Sequence, residues 1–133
     1  MLVNLTPHVV ALLIEDEEGQ IIGMLGYGND ATIRCFRSVI ELPSQGVARV
    51  KTATVVTGEI EVGGMSFPVT KTSFSEPENL PVPDEETCFV VSLITAQAAM
   101  AARRTTDDLL IVGETVRDME GRILGCVSLG RVQ

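Results

Sequence analysis

Apolar residues in this chain come in short runs: Val9–Ile14, Ile21–Leu25, Phe89–Val91, Leu109–Val112 and Ile123–Cys126, each bounded by glycine, proline or acidic clusters. Short bounded runs rich in β-branched residues predict strands rather than helices. Asn4-Leu5-Thr6-Pro7-His8 reads as a turn-like lead into the first run. Val9–Ile14, the acidic loop Glu15–Gly19 and Gln20–Leu25 then predict a β-hairpin, with Gly19 at the positive-φ position of a bulged turn. Val116–Cys126 predicts a closing hairpin of the same form: Asp16, Glu18, Gly19, Ile21 and Gly23 match Asp118, Glu120, Gly121, Ile123 and Gly125. One hairpin chemistry used twice is the preferred reading of that match. The alternative is a pseudo-symmetric pair of chain ends sharing one sheet.

Between these ends the period-2 signal is clearest over Val47–Val62. Ala48, Val50, Val56, Ile60 and Val62 alternate with Arg49, Lys51, Glu59 and Glu61, which predicts one face turned inward and one outward. The run is too long for an ordinary strand, so a bend or turn is expected near Thr57-Gly58. Gly63-Gly64 followed by Met65-Ser66-Phe67 predicts a third hairpin. Ala31–Leu42 lacks helical spacing and reads as a strand, and Gly26–Asp30 as a loop.

Cys88–Arg104 holds the one clear change of period. Cys88–Val91 reads as a buried strand, bounded by Pro77, Pro81, Pro83 and the acidic Asp84-Glu85-Glu86. Ser92 is a good N-cap, and the Ala-rich stretch after it is helix-forming. Arg103 and Arg104 suit the negative pole of a helix dipole. A helix from Leu93 to about Arg104 would be about 20 Å long. With almost no polar face, it is expected to be buried, covered by sheet and by a second subunit. The fold expected is therefore α+β: a mostly antiparallel curled sheet of about seven strands around one central buried helix, with residues 1–133 forming a single domain.

The 133 residues are 45% hydrophobic and carry a formal net charge of −8. That charge argues against nucleic acid and anionic membranes as partners, because both are bound by neutralising phosphate. No run is long enough to span a bilayer, and Val9–Ile14 is too short for a signal-peptide core. Eight of the ten basic residues are arginine, the side chain suited to bidentate carboxylate or phosphate contacts; structural ion pairs are their commoner use. Cys35, Cys88 and Cys126 are odd in number and lie in apolar runs, so free thiols and a cytoplasmic location are expected.

Catalytic signatures are absent. His8 is the single histidine, which with scattered cysteines makes no zinc site. No nucleophile-elbow, HExxH or Walker A motif occurs, and the glycines around Tyr27 are a weak phosphate cradle. Asp107-Asp108 and Asp118 with Glu120 fit solvated turns better than acid/base pairs. The reading therefore assigns no catalytic residue, metal or cofactor. What is left is a ligand-binding set: Ser92 and Thr95 at a helix start, whose free N–H groups attract anions, with His8, Arg49, Arg103, Arg104 and Arg117 near element ends.

Several blocks resemble short proteins encoded by bacteriophages and prophages. They are Asn4–His8, Pro43–Val50, Val90-Val91-Ser92 with Ala96-Gln97-Ala98, Arg104 with Asp108-Leu109, Val116-Arg117-Asp118, Gly121-Arg122-Ile123 and Gly125-Cys126. The resemblance implies a phage setting, hence the host cytoplasm, and no particular reaction. In that setting the leading expectation is a small-molecule binding module that sequesters a nucleotide-derived anionic signal in counter-defence, working as a homo-oligomer. A protein-interaction or assembly module is the alternative. A small hydrolase of phosphoester or glycosidic bonds, using Asp107, Asp118 or His8, comes third.

Overall fold

The structure, a computed structural model, describes residues 1–132. Among the described residues eleven strands form three sheets rather than one, accompanied by one α-helix. The first is a closed five-stranded barrel in the order β10 (Ile123–Cys126), β2 (Val10–Glu15), β4 (Thr32–Leu42), β3 (Ile21–Leu25), β9 (Thr115–Arg117). The second is a four-stranded sheet in the order β1 (Leu2–Asn4), β7 (Cys88–Val90), β8 (Leu109–Val112), β11 (Leu129–Gly130). The third is a two-stranded ribbon of β5 (Thr52–Val62) and β6 (Met65–Phe74). The architecture is thus α+β, but the single curled antiparallel sheet is replaced by separate sheets. The second of them has a parallel core, β1–β7–β8.

The barrel explains why the first predicted hairpin does not form. β2 and β3 do not pair with each other. Both run antiparallel to β4, β2 along its second half (Val10↔Leu42) and β3 along its first (Leu25↔Thr32). The Asp16–Gln20 connection crosses the middle of β4, where a Cβ on Gly19 would lie 2.2 Å from the Phe36 carbonyl oxygen. Gly19 is there for close approach, not for a positive φ. Closure comes from β9, which pairs with both β3 and β10, and from a parallel contact between Cys126 and Leu12. Inside sit Leu13, Phe36 and Val116, all buried. So small a barrel has room only where a side chain is missing: a Cβ on Gly23 would meet Val116 at 2.3 Å, and one on Gly125 would meet the Ala11 carbonyl at 2.7 Å. The repeated sequence pattern thus does place both chain ends in one sheet. Only its second copy is a hairpin, turned at Gly121 with φ +85°.

In the second sheet, strand β7, helix α1 (Leu93–Ala101) and strand β8 make a β-α-β unit, the ordinary way to join parallel neighbours. The helix is nine residues long, shorter than its composition predicts. It ends because Arg103 takes the left-handed conformation, φ 62°. The Arg103 N–H then donates to the Met100 carbonyl and the Arg104 N–H to that of Ala99, both at 3.0 Å. This is the paired capping arrangement usually built on glycine. Nor is the helix enclosed. Thr95, Ala96, Ala98 and Ala99 are buried against the sheet with Leu5, Phe89, Val91 and Leu109, while Leu93 and Ile94 remain 50% and 48% exposed. Small residues on one side let the backbone sit close to the sheet, leaving the bulky ones facing out.

A buried asparagine ties this sheet to the barrel. Asn4 is fully buried; its Nδ2 donates to the carbonyls of His8 (2.7 Å) and Leu42 (2.9 Å). Its Oδ1 accepts from the Thr6 N–H (2.9 Å) and hydroxyl (2.6 Å).

The ribbon keeps the predicted Gly63-Gly64 turn, with φ 60° and 78°. The expected bend is a β-bulge at Thr57, where the register shifts between Val56 and Gly58. Neither face is turned inward: every ribbon residue is exposed, and none belongs to the core clusters. Among the described residues no helix is long and apolar enough to cross a membrane.

Candidate ligand cleft

The three parallel strands end on the same side. β1 runs out into Thr6-Pro7-His8, β7 into Val91-Ser92 and the start of α1, and β8 into Gly113. Carboxyl ends of parallel strands beside a helix N-terminus are where α/β sheets usually hold ligands. Here a cleft of about 450 Å³ opens at that edge. Its other wall is the barrel, through Val10, Ala11 and the segment Ile123–Cys126.

The walls are mainly apolar, and the lining contains no Arg, Lys, Asp or Glu. Polar character is concentrated in Thr6, His8, Ser92 and Thr115. The His8 backbone carbonyl is held by Asn4 and Thr6 (2.7 and 3.1 Å), which fixes the residue while its ring stays exposed. At the helix start, Ser92 Oγ accepts from the Thr95 N–H (3.2 Å) and contacts Thr95 Oγ1 (2.9 Å), which in turn donates to the Ala48 carbonyl (3.2 Å). The cap therefore uses one first-turn N–H, and those of Leu93 and Ile94 have no intrahelical acceptor to reach. Cys126 also lines the cleft. Burial pushes its thiol above the ordinary range, outweighing a backbone hydrogen bond that acts the other way. A thiol held protonated is a poor nucleophile.

Of the residues expected from sequence to bind a ligand, only His8 and Ser92 meet in the cleft. Thr95 lies buried beneath, as support for Ser92. The arginines do not converge on it. Arg49 exchanges backbone hydrogen bonds with Glu78 at 3.0 and 2.7 Å. Arg103 forms the helix cap. Arg104 grips Asp108 with both nitrogens (2.8 and 2.9 Å) and donates to the Pro81 and Thr105 carbonyls (both 2.8 Å). It thereby ties the proline-rich loop to the helix end. Arg117 donates to the Gly121 carbonyl (2.8 Å) inside its own hairpin. Asp118 organises that hairpin tip by accepting the Glu120 and Arg122 N–H groups, and the Asp107 carbonyl accepts from Arg131. Neither carboxylate lines the cleft. A more open depression on the barrel includes Cys35, Glu15 and Arg34; Glu15 occupies the Arg34 guanidinium at 2.8 Å.

Sequence reasoning missed Thr6, Thr115 and the barrel wall around Cys126. Their approach depends on barrel closure. The available signal was the order of elements, in which the strand before and the strand after the helix both end toward its start.

The fold defines a class: a small α+β domain in which a parallel-cored sheet and a five-stranded barrel share an apolar cleft. No known protein family, curated protein or solved structure matches the chain.

Proposed function

We propose that the chain is a small-molecule binding module of a phage setting, with its ligand in the cleft between sheet and barrel. The observation that carries this reading is a mainly apolar cleft at the carboxyl ends of β1, β7 and β8, with a few polar groups, Thr6, His8, Ser92 and Thr115, on its lining. Apolar walls with sparse polar anchors are the usual build of a ligand pocket. The same cleft narrows the nucleotide-derived signal expected from sequence. No cationic side chain lines it, and the chain is acidic overall, so a polyphosphate has nothing to neutralise it. The ligand that fits has an apolar or planar body and at most one anionic group, set against the Leu93 and Ile94 N–H groups and the His8 ring.

The test is thermal stabilisation of the purified protein by nucleosides, cyclic mononucleotides and aromatic carboxylates. A binder present at 100 times its Kd adds about 2.7 kcal/mol of stability. The expected result is a raised Tm with one of the singly charged compounds and none with nucleoside triphosphates. His8→Ala should weaken that ligand about tenfold, about 1.4 kcal/mol. No shift with any compound, or a preference for the triphosphates, would overturn the reading. Self-assembly is a second role, and it rests on a different part of the chain, the exposed ribbon.

A further inference from the structure

Register and exposure together give the β5–β6 ribbon two unlike faces. Residues paired across an antiparallel ladder point to the same side. The pairs Val62↔Met65, Ile60↔Phe67 and Gly58↔Val69 therefore share one face, and past the bulge Val55↔Lys71 and Ala53↔Ser73 continue it. Glu61↔Ser66, Glu59↔Pro68, Val56↔Thr70, Thr54↔Thr72 and Thr52↔Phe74 make up the other, where Val56 and Phe74 are separated apolar residues among threonines and glutamates. The first face thus presents Val55, Ile60, Val62, Met65, Phe67 and Val69, each between 43% and 65% exposed. It carries no carboxylate, and its one charge is Lys71. Both ribbon glutamates lie on the opposite side.

We propose that this apolar face is a self-association surface, packed against the same face of a second copy to make a two-layer β-sandwich across the dimer axis. Three considerations support it. First, a lone two-stranded ribbon is at best marginally stable in water, and this one takes no part in the core clusters of its own chain. Second, six half-exposed apolar side chains amount to on the order of 500 Å², a size at which exposed patches mark interaction surfaces. Doubled over two copies, that reaches about 1,000 Å², the lower bound for a specific interface. Third, charge selects the partner. A chain of net charge −8 repels its own copies over most of its surface, but this face is acid-free, so it meets itself without placing carboxylate against carboxylate. An isologous contact needs such self-complementarity.

The test is sedimentation of the full chain from about 1 to 100 μM, a range that brackets typical weak-to-moderate dimer affinities, alongside three variants. The expected result is a wild-type dimer. Phe67→Glu should raise the dimer dissociation constant by at least a hundredfold. Because that change could also unfold the ribbon, the double variant Ile60→Thr with Val69→Thr keeps the β-branched shape and strand propensity while removing apolar surface. It should weaken association at least tenfold. Val56→Glu, on the opposite face, should leave association unchanged. A monomeric wild type across the range, dimers undiminished in Phe67→Glu and the double-threonine variant, or equal loss in Val56→Glu would each overturn the proposal. Ligand binding in the cleft is read separately by Tm, so either conclusion can fail alone.

Discussion

Asn4 is a fully buried polar residue whose whole side chain is spent on hydrogen bonds. It replaces water for four backbone and side-chain partners at the junction of β1, the Thr6–His8 turn and the end of β4. Removing it takes a buried donor from the Leu42 carbonyl, and a buried group left short of a partner costs more than the net value of the bond itself. Asn4→Ala is expected to destabilise the fold by about 2–4 kcal/mol in denaturant titration. Asn4→Asp, which keeps the acceptor but loses both donors and buries a charge, should be no better. From sequence this asparagine looks like a turn residue, because it opens the turn-like stretch Asn4-Leu5-Thr6-Pro7-His8. That part is legible. Its long-range bond to Leu42 is not, since it depends on β4 returning to that position. Arg104 illustrates the same limit: placing it near a helix end is correct, but its use as a clamp on Asp108 and the Pro81 carbonyl depends on where the proline loop lies.

At the scale of elements, helix α1 shows how a correct local reading overshoots. Ser92 is its N-cap, with the expected hydroxyl bond to the Thr95 N–H, and strands were expected at β4, β8 and β10. Composition favours continuing the helix to about Arg104, yet it stops at Ala101, before Arg103 turns left-handed. Left-handed backbone costs a non-glycine residue roughly 1–2 kcal/mol. Arg103→Gly is therefore expected to raise stability by about 0.5–1 kcal/mol, seen as a higher denaturation midpoint with an unchanged slope. The opposite sign would mean that the Arg103 side chain makes contacts that outweigh the strain. The first hairpin failed for a topological reason. Two apolar runs joined by an acidic glycine loop satisfy every local hairpin rule, but β4 lies between them and pairs with both.

At the scale of the whole molecule, the barrel and the parallel-cored sheet build the cleft together, and the thiol of Cys126 sits on the barrel side of it. Because burial raises its pKa, the folded protein holds this proton more tightly than the unfolded chain does. Its contribution to stability is complete below the ordinary thiol pKa of about 8.5 and is lost as pH rises through the higher folded value. Denaturation at pH 7 and pH 10 should show a larger loss for the wild type than for Cys126→Val. Equal losses would mean that water reaches the sulfur.

The residues by themselves determined the mixture of short strands with one alanine-rich helix, its cap, the glycine turns of the ribbon and of the closing hairpin, and the acidic surface. These follow from side-chain volume, backbone freedom and charge, which act over a few neighbours. Only the tertiary structure decided that β2 and β3 flank β4, that the sheets separate, that the arginines scatter into local duties and that His8 and Ser92 share a cleft. Such outcomes depend on which distant strands pair, and ladder hydrogen bonds are chemically alike in every register. The choice is made by how well the whole set of buried side chains fits together.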